Sequence, residues 1–285
     1  MKIFEFSFNP KKSKNRFFEI FSYEPTRSKE RSKGSLYVVG ELQNALELQG
    51  KFLRTLSQVI QQEYYDSSFK TPQAALKASL KKANLFLQQE AKAGNVHWLG
   101  NLHIAILLFI TVQEKRTHFH LAKAGSIKVV MGRGGMVIDV GKKLEKAGKQ
   151  KHPSKIFGTV VSGTALPEDT IVVITKDIYD MLLRENSVTE LVLLKEGKRL
   201  KGFFKTRQRM FSQLSGLLFH VVMEEMQPLS FLPKPKLMLQ KGVKLPTLKL
   251  GLQFLLLRHP AALKKQLIPI LFLLAVLLLG FLLFG

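Results

Sequence analysis

His118 and His120 stand two residues apart in the run THFHLAK, so on an extended strand both imidazoles leave the same face and could chelate a metal edge-on. A zinc site needs at least a third protein ligand, and none stands at a recognisable spacing. Gly132-Arg133-Gly134-Gly135 is the other spacing that suggests chemistry, a glycine-rich turn that could cradle phosphate. It lacks the following helix and the Lys-Ser/Thr pair of a phosphate loop, and its flanks SIKVVM and GMVIDV read as the two strands of a hairpin. The chain has no cysteine, which excludes disulfides, thiolate metal sites and cysteine nucleophiles. No serine sits in a nucleophile elbow, and no Walker or dinucleotide fingerprint occurs. His97, His103 and His220 are scattered and read as partly buried polar groups, and Trp98 reads as core.

The elements that must position these residues follow from periodicity. KIFEFSFN places Phe4, Phe6 and Phe8 on one side at period two, and Arg16 to Tyr23 reads as its hairpin partner across residues 9–15. SLYVV is a short strand bounded by Gly40. From Glu41 to Tyr64 the apolar positions Leu42, Ala45, Leu48, Phe52, Leu56, Val59 and Ile60 recur at helical spacing. A second helix opens with Thr71 as cap and Pro72 in its first turn, where the missing N–H costs nothing.

The middle of the chain is strand-rich. NLHIAILLFITV is continuously apolar, as a strand covered on both faces would be. EDTIVVITKDIYDMLLREN predicts a strand to Thr175 and a helix from about Asp177; Ser187 and Glu190 form a capping-box pattern for the next helix. A third helical stretch, near Phe203 to Leu214, leads into the final strand GLLFHVVME. Helices lie between groups of strands rather than alternating with them, which favours two packed sheets with helices outside over a doubly wound parallel sheet.

The last stretch, Leu267 to Gly285, carries no charged residue in nineteen positions. As a helix it would span roughly 28 Å, close to the hydrocarbon core of a bilayer, and it reads as a single transmembrane helix. From Pro228 to Gln266 there are eight Lys or Arg and no Asp or Glu, which places that side in the cytoplasm. The division is therefore a domain over 1–227, a basic juxtamembrane linker over 228–266 and an anchor over 267–285, with the amino-terminal domain cytosolic. The net charge of +23 is spread over many segments and suits anionic lipid head groups; no nucleic-acid motif appears.

In this order of elements, several short runs resemble the metal-dependent serine/threonine phosphatases of type 2C, the PPM family. LYVVGEL resembles that family's strand ending in Ala-Asp-Gly, and LGNLHIAILL its Gly-Thr-Thr strand. HLAKAGSIKVVMGRGG resembles the Gly-Asp-Ser-Arg hairpin, and EDTIVVITKDIYDML the run with Thr-Asp-Gly. The likeness covers about Lys2 to Glu224 and rests on order and spacing rather than on one motif. It implies an α+β fold, a four-layer α/β/β/α sandwich, and a cluster of aspartates holding two metal ions that activate water.

The acids depart from that pattern. After Gly40, Glu41 stands where the first aspartate is expected, and Leu42 where its neighbouring glycine is. Gly125 is kept but Ser126 replaces the acid; Thr175 is kept but Lys176 replaces the metal-binding acid. Ser215-Gly216 stand at the closing Asp-Asn and Asn15-Arg16-Phe17 at the early Asn-Glu-Asp. Glu41 and, after a slip of one position, Asp177 are the residual metal candidates, with solvated or capping carboxylates as their ordinary alternative; Asp180 falls on a family acid position and fits helix capping. The resemblance thus implies a pseudophosphatase, a membrane-held binding or regulatory module without catalysis or cofactor, whose partner is a protein. In an empty pocket Lys128 and Lys176 could meet an anion. Two other functions fit: a divergent phosphatase using manganese or magnesium at a rebuilt site, and a polybasic domain binding lipid or nucleic acid.

Overall fold

The computed structural model describes residues 1–9, 15–112, 116–144 and 155–224. All of these belong to one unit, Met1–Pro228. The linker expected over 228–266 and the membrane span expected over 267–285 lie outside the described residues, as does most of the basic loop after Gly141. Among the described residues no helix is long and apolar enough to cross a membrane.

In chain order the elements are β1 (Lys2–Phe8), β2 (Phe17–Tyr23), α1 (Ser28–Arg31), β3 (Ser35–Leu42), a 3-10 turn (Glu47–Gln49), α2 (Phe52–Asp66), α3 (Pro72–Lys92), β4 (Leu102–Val112), β5 (Arg116–Ala124) and β6 (Lys128–Arg133). There follow β7 (Met136–Asp139), β8 (Val161–Ala165), β9 (Thr170–Ile174), α4 (Lys176–Arg184), α5 (Val188–Leu193), α6 (Gly197–Thr206), α7 (Gln208–Phe211) and β10 (Gly216–Val222). Two five-stranded antiparallel sheets result, ordered β1-β10-β9-β6-β7 and β2-β3-β4-β5-β8.

Alternation along the strands builds the layers. On β3 and β4, Leu36, Val38, Ile104, Ile106 and Leu108 face α2 and α3, where Leu53, Leu56, Ile60, Leu76 and Leu80 meet them. The intervening Tyr37, Val39, Leu107 and Phe109 face the other sheet and pack on Ile171, Val173 and Phe219. That sheet's outer face, Val130, Val172, Ile174 and Leu218, is covered by Ile178, Leu182, Leu191, Leu200 and Phe203 of α4, α5 and α6. The helix-sheet-sheet-helix sandwich inferred from the sequence is therefore the observed fold. It explains why β4 is apolar at nearly every position: it is buried on both faces.

Four expectations are corrected. First, β1 and β2 are not a hairpin. β1 pairs with β10 and β2 with β3, because the Phe4, Phe6 and Phe8 stripe packs outward onto the helical layer, where Phe8 stacks on Phe211. Asn9 ends β1 at φ +39, its amide donating to the carbonyls of Phe211 and Leu214 at 2.7 Å each. Second, the helix expected from Glu41 begins only at Phe52: Glu41 and Leu42 finish β3, and Asn44 at φ +50 turns the chain away from it. Third, Ser187 makes no cap; its hydroxyl donates to the Leu182 carbonyl, and Glu190 pairs with Arg207. Fourth, the third helical stretch starts at Gly197, not near Phe203. Thr71 does cap α3, accepting from the Ala74 amide, and Gly134 and Gly135 take the positive φ values of a tight two-residue hairpin turn.

Candidate functional site

Strand register brings the separated motif positions to one end of the sandwich. Glu41 pairs with His103 across β3 and β4, Lys128 with Ile174 across β6 and β9, and Phe8 with Gly216 across β1 and β10. Thr175, between β9 and α4, accepts from the Leu217 amide at 3.0 Å, and the Ser215 hydroxyl donates to the Asn9 carbonyl at 2.9 Å. Gly125 takes φ +71 in the β5–β6 turn, and a Cβ there would lie 2.2 Å from His103 Nδ1. The Ser126 amide donates to that same Nδ1 at 3.1 Å, so the neutral His103 ring carries its proton on Nε2. Burial holds His103 below the ordinary histidine range, against the opposing pull of Glu41.

The centre of this end is an arginine. Arg16, just before β2, donates from Nε to Glu41 Oε1 at 2.8 Å, and its Nη2 reaches the same oxygen. Its Nη1 donates to Asp177 Oδ2 at 2.7 Å. Gln43 Nε2 adds a further bond to Glu41 Oε1 at 2.9 Å. Glu41 projects between the sheets and is fully buried; its second oxygen, Oε2, has no hydrogen-bond partner among the described residues. Burial lowers the Arg16 pKa, but the bonds to Asp177 and Glu41 outweigh this and raise it, so the guanidinium stays charged. Arg16 thereby joins a strand of one sheet to the helix that follows a strand of the other.

The neighbouring groups are also engaged. Lys176 pairs with Asp180 one turn along α4. Lys128 lies 5.7 Å from the centre of the Tyr179 ring. Asp177 sits in the first turn of α4, where the helix dipole favours a carboxylate. Two adjacent divalent cations need several carboxylates free to ligate them. Here Glu41 and Asp177 share one guanidinium, Asp180 holds a lysine, and among the described residues no three His, Asp or Glu side chains could hold a metal together. This donor set does not fit a metal pair.

The other described histidines have surroundings of their own. His118 and His120 do share a face of β5, but each is met by a hydroxyl of the edge strand β8, Thr164 Oγ1 at 3.3 Å and Ser162 Oγ at 2.7 Å. His97 contacts Gln49, and His220 is fully buried in the sheet, its pKa pushed down to about 4 by burial. Trp98 is core.

Sequence pattern does not single out Gln43; it reads His103 only as a partly buried polar group and Arg16 only as the residue standing in place of an acid. The available signal was charge: Arg16 lies one residue beyond the β2–β3 register pair Phe17 and Leu42, so pairing those strands sets a cation beside Glu41. That inference needs the pairing, and β2 read as the partner of β1.

No family model matches the sequence, and no curated protein matches it. Solved structures do match in fold. The Streptococcus agalactiae serine/threonine phosphatase is 14% identical with a TM-score of 0.51, covering 78% of this chain and 99% of that one. PppA, a key regulatory component of the T6SS in Pseudomonas aeruginosa, is 12% identical with a TM-score of 0.50, over 77% of this chain and 95% of its own. A bacterial serine phosphatase is 11% identical with a TM-score of 0.50, covering 80% of this chain and all of that one. With its two antiparallel sheets between helical layers, the chain has the fold of the type 2C serine/threonine phosphatases.

Proposed function

We propose that this chain is a pseudophosphatase: a PPM-like domain over 1–227, held at the cytoplasmic face of a membrane by the span at 267–285, that binds a protein partner instead of hydrolysing phosphoesters. The observation that carries this reading is the Arg16 guanidinium between Glu41 and Asp177. In the family that the fold resembles, a cluster of carboxylates holds metal ions; here the two carboxylates are neutralised by a fixed organic cation. Lys176, at a position the resemblance gives to a metal-binding acid, offers a metal no ligand and occupies the carboxylate of Asp180. Support for the anchor is the uncharged run of nineteen residues, with the basic, acid-free linker before it setting the orientation.

The test uses the full chain in neutral detergent with p-nitrophenyl phosphate and a phosphoserine peptide, at millimolar manganese or magnesium. The expected result is no turnover above a protein-free control. Metal-dependent turnover would overturn the reading in favour of a divergent phosphatase. Because the chain lacks cysteine, a single cysteine at exposed Lys77 maps topology: labelling by an impermeant reagent only after cells are opened supports the cytosolic placement, and labelling of intact cells contradicts it.

A further inference from the structure

The covering layer on the β1-β10-β9-β6-β7 sheet has an unusually charged back. Between residues 195 and 209 there are seven basic residues and one acid, Glu196. Leu200 and Phe203 bury the inner face of α6 against the sheet, so the opposite face is left to solvent. Lys198, Lys201 and Lys205 fall at i, i+3 and i+7 on that outer face, and all three are exposed. Two neighbouring cations are tied down, Arg199 to Glu196 at 3.2 Å and Arg207 to Glu190 at 2.6 Å. The three lysines and Arg209 enter no ion pair among the described residues. Gly202 lies on the same face, and no atom comes within 4 Å of where its Cβ would be, so a bare stretch of backbone is open beside the lysines.

This stripe runs into a cavity of about 370 Å³. Lys205 and Gln208 stand at its exposed side, and Phe8, Phe204 and Phe211 line it. Phe8 and Phe211 stack on each other at 4.6 Å, and Phe204 stands edge-on to both. One ring face each of Phe8 and Phe211 is thus used within the cluster, and what the cavity offers a side chain is an apolar hollow. A plane of lipid head groups would meet the lysines but leave the hollow empty. Ser7, Phe8 and Asn9 form the cavity's far side, and the Asn9 carbonyl also accepts from Ser215, so the cavity borders the Arg16 end of the sandwich.

Resting on the reading of the chain as a binding module, we propose that the α6–α7 face docks an acidic peptide segment of a partner protein, its carboxylates along Lys198, Lys201 and Lys205 and one apolar side chain in the Phe8-Phe204-Phe211 cavity. Charge complementarity supplies encounter and register, and the anchored side chain supplies residence.

The probe is a fluorescein-labelled fourteen-residue peptide of Glu, Asp and Gly with one central Leu, titrated by anisotropy into the full chain in neutral detergent. Saturable binding is expected, weakened at least tenfold by K198E/K201E/K205E, and weakened severalfold when the peptide's Leu becomes Gly. The control K77E/K81E/K82E, on the equally exposed lysines of α3, is expected to bind as the parent does. Equal loss in both triple variants would reduce the effect to net charge and overturn the proposal. So would α6-dependent binding that is tighter to a fluorescent oligo-dT, or to phosphatidylcholine–phosphatidylglycerol vesicles, than to the peptide. Buried Trp98 fluorescence checks that each variant is folded. Metal-dependent phosphoester turnover would sink the pseudophosphatase reading without touching this binding result, so the two failures are distinguishable.

Discussion

Replacing Arg16 by Met removes the charge but keeps much of the side-chain volume, and the cost can be worked from its partners. Glu41 is fully buried, so losing its guanidinium strands a carboxylate away from water, a change that costs about 3–5 kcal/mol. The remaining bond from Gln43 softens this toward the lower figure. The side chain of Asp177 is 39% exposed, so its arm adds at most about 1 kcal/mol. R16M is therefore expected to lose about 3–4 kcal/mol. With a urea dependence of about 2 kcal/mol/M, the midpoint falls by about 1.5–2 M. Trp98 is the sole tryptophan and is buried, so its fluorescence reports the transition in the full chain. R16M/E41M removes both charges and is expected to return to within about 1 kcal/mol of the parent, because a well-packed apolar pair replaces an ion pair at little cost. An R16M loss below about 1 kcal/mol, or a double variant no better than the single, would refute the idea that Arg16 is the neutralising cation of this end.

Two further outcomes follow from His220 and Gly125. His220 has its pKa pushed down to about 4 from 6.5, so its neutral ring supports the fold fully above pH 6.5, and that support is lost as the pH falls from 6.5 toward 4. Between pH 7 and pH 5 the loss is about 2 kcal/mol, and H220L should flatten that part of the stability profile in urea titrations; an unchanged slope would assign it to other groups. Gly125→Ala forces a side chain into φ +71 and against His103 and the Leu102 carbonyl. A loss of about 2–4 kcal/mol is expected, measured by the same titration, and a silent substitution would mean that the β5–β6 turn relaxes freely.

Much of the fold was legible because local patterns and burial agreed. The unbroken apolar run of β4 could only be covered on both faces, the Gly134-Gly135 pair could only turn tightly, and Thr71-Pro72 could only begin a helix. Elements failed to read where tertiary partners decide. The phenylalanines of β1 serve an outer helical layer more than 190 residues away in sequence, so nothing near them reveals which strand they join. Leu42, Ala45 and Leu48 match helical spacing, yet Leu42 belongs to the alternation of β3. In the candidate site the positions of Glu41 and Asp177 are legible but their contact is not, because the guanidinium they share is 25 residues from one and 161 from the other.

Calorimetric titration of the full chain with manganese tests most directly whether Arg16 has taken the place of metal. The expected result is no saturable heat up to millimolar manganese from a chain whose buried Trp98 shows it to be folded. Saturable binding near two manganese ions per chain would contradict it, because Glu41 and Asp177 would then have to release the guanidinium they share.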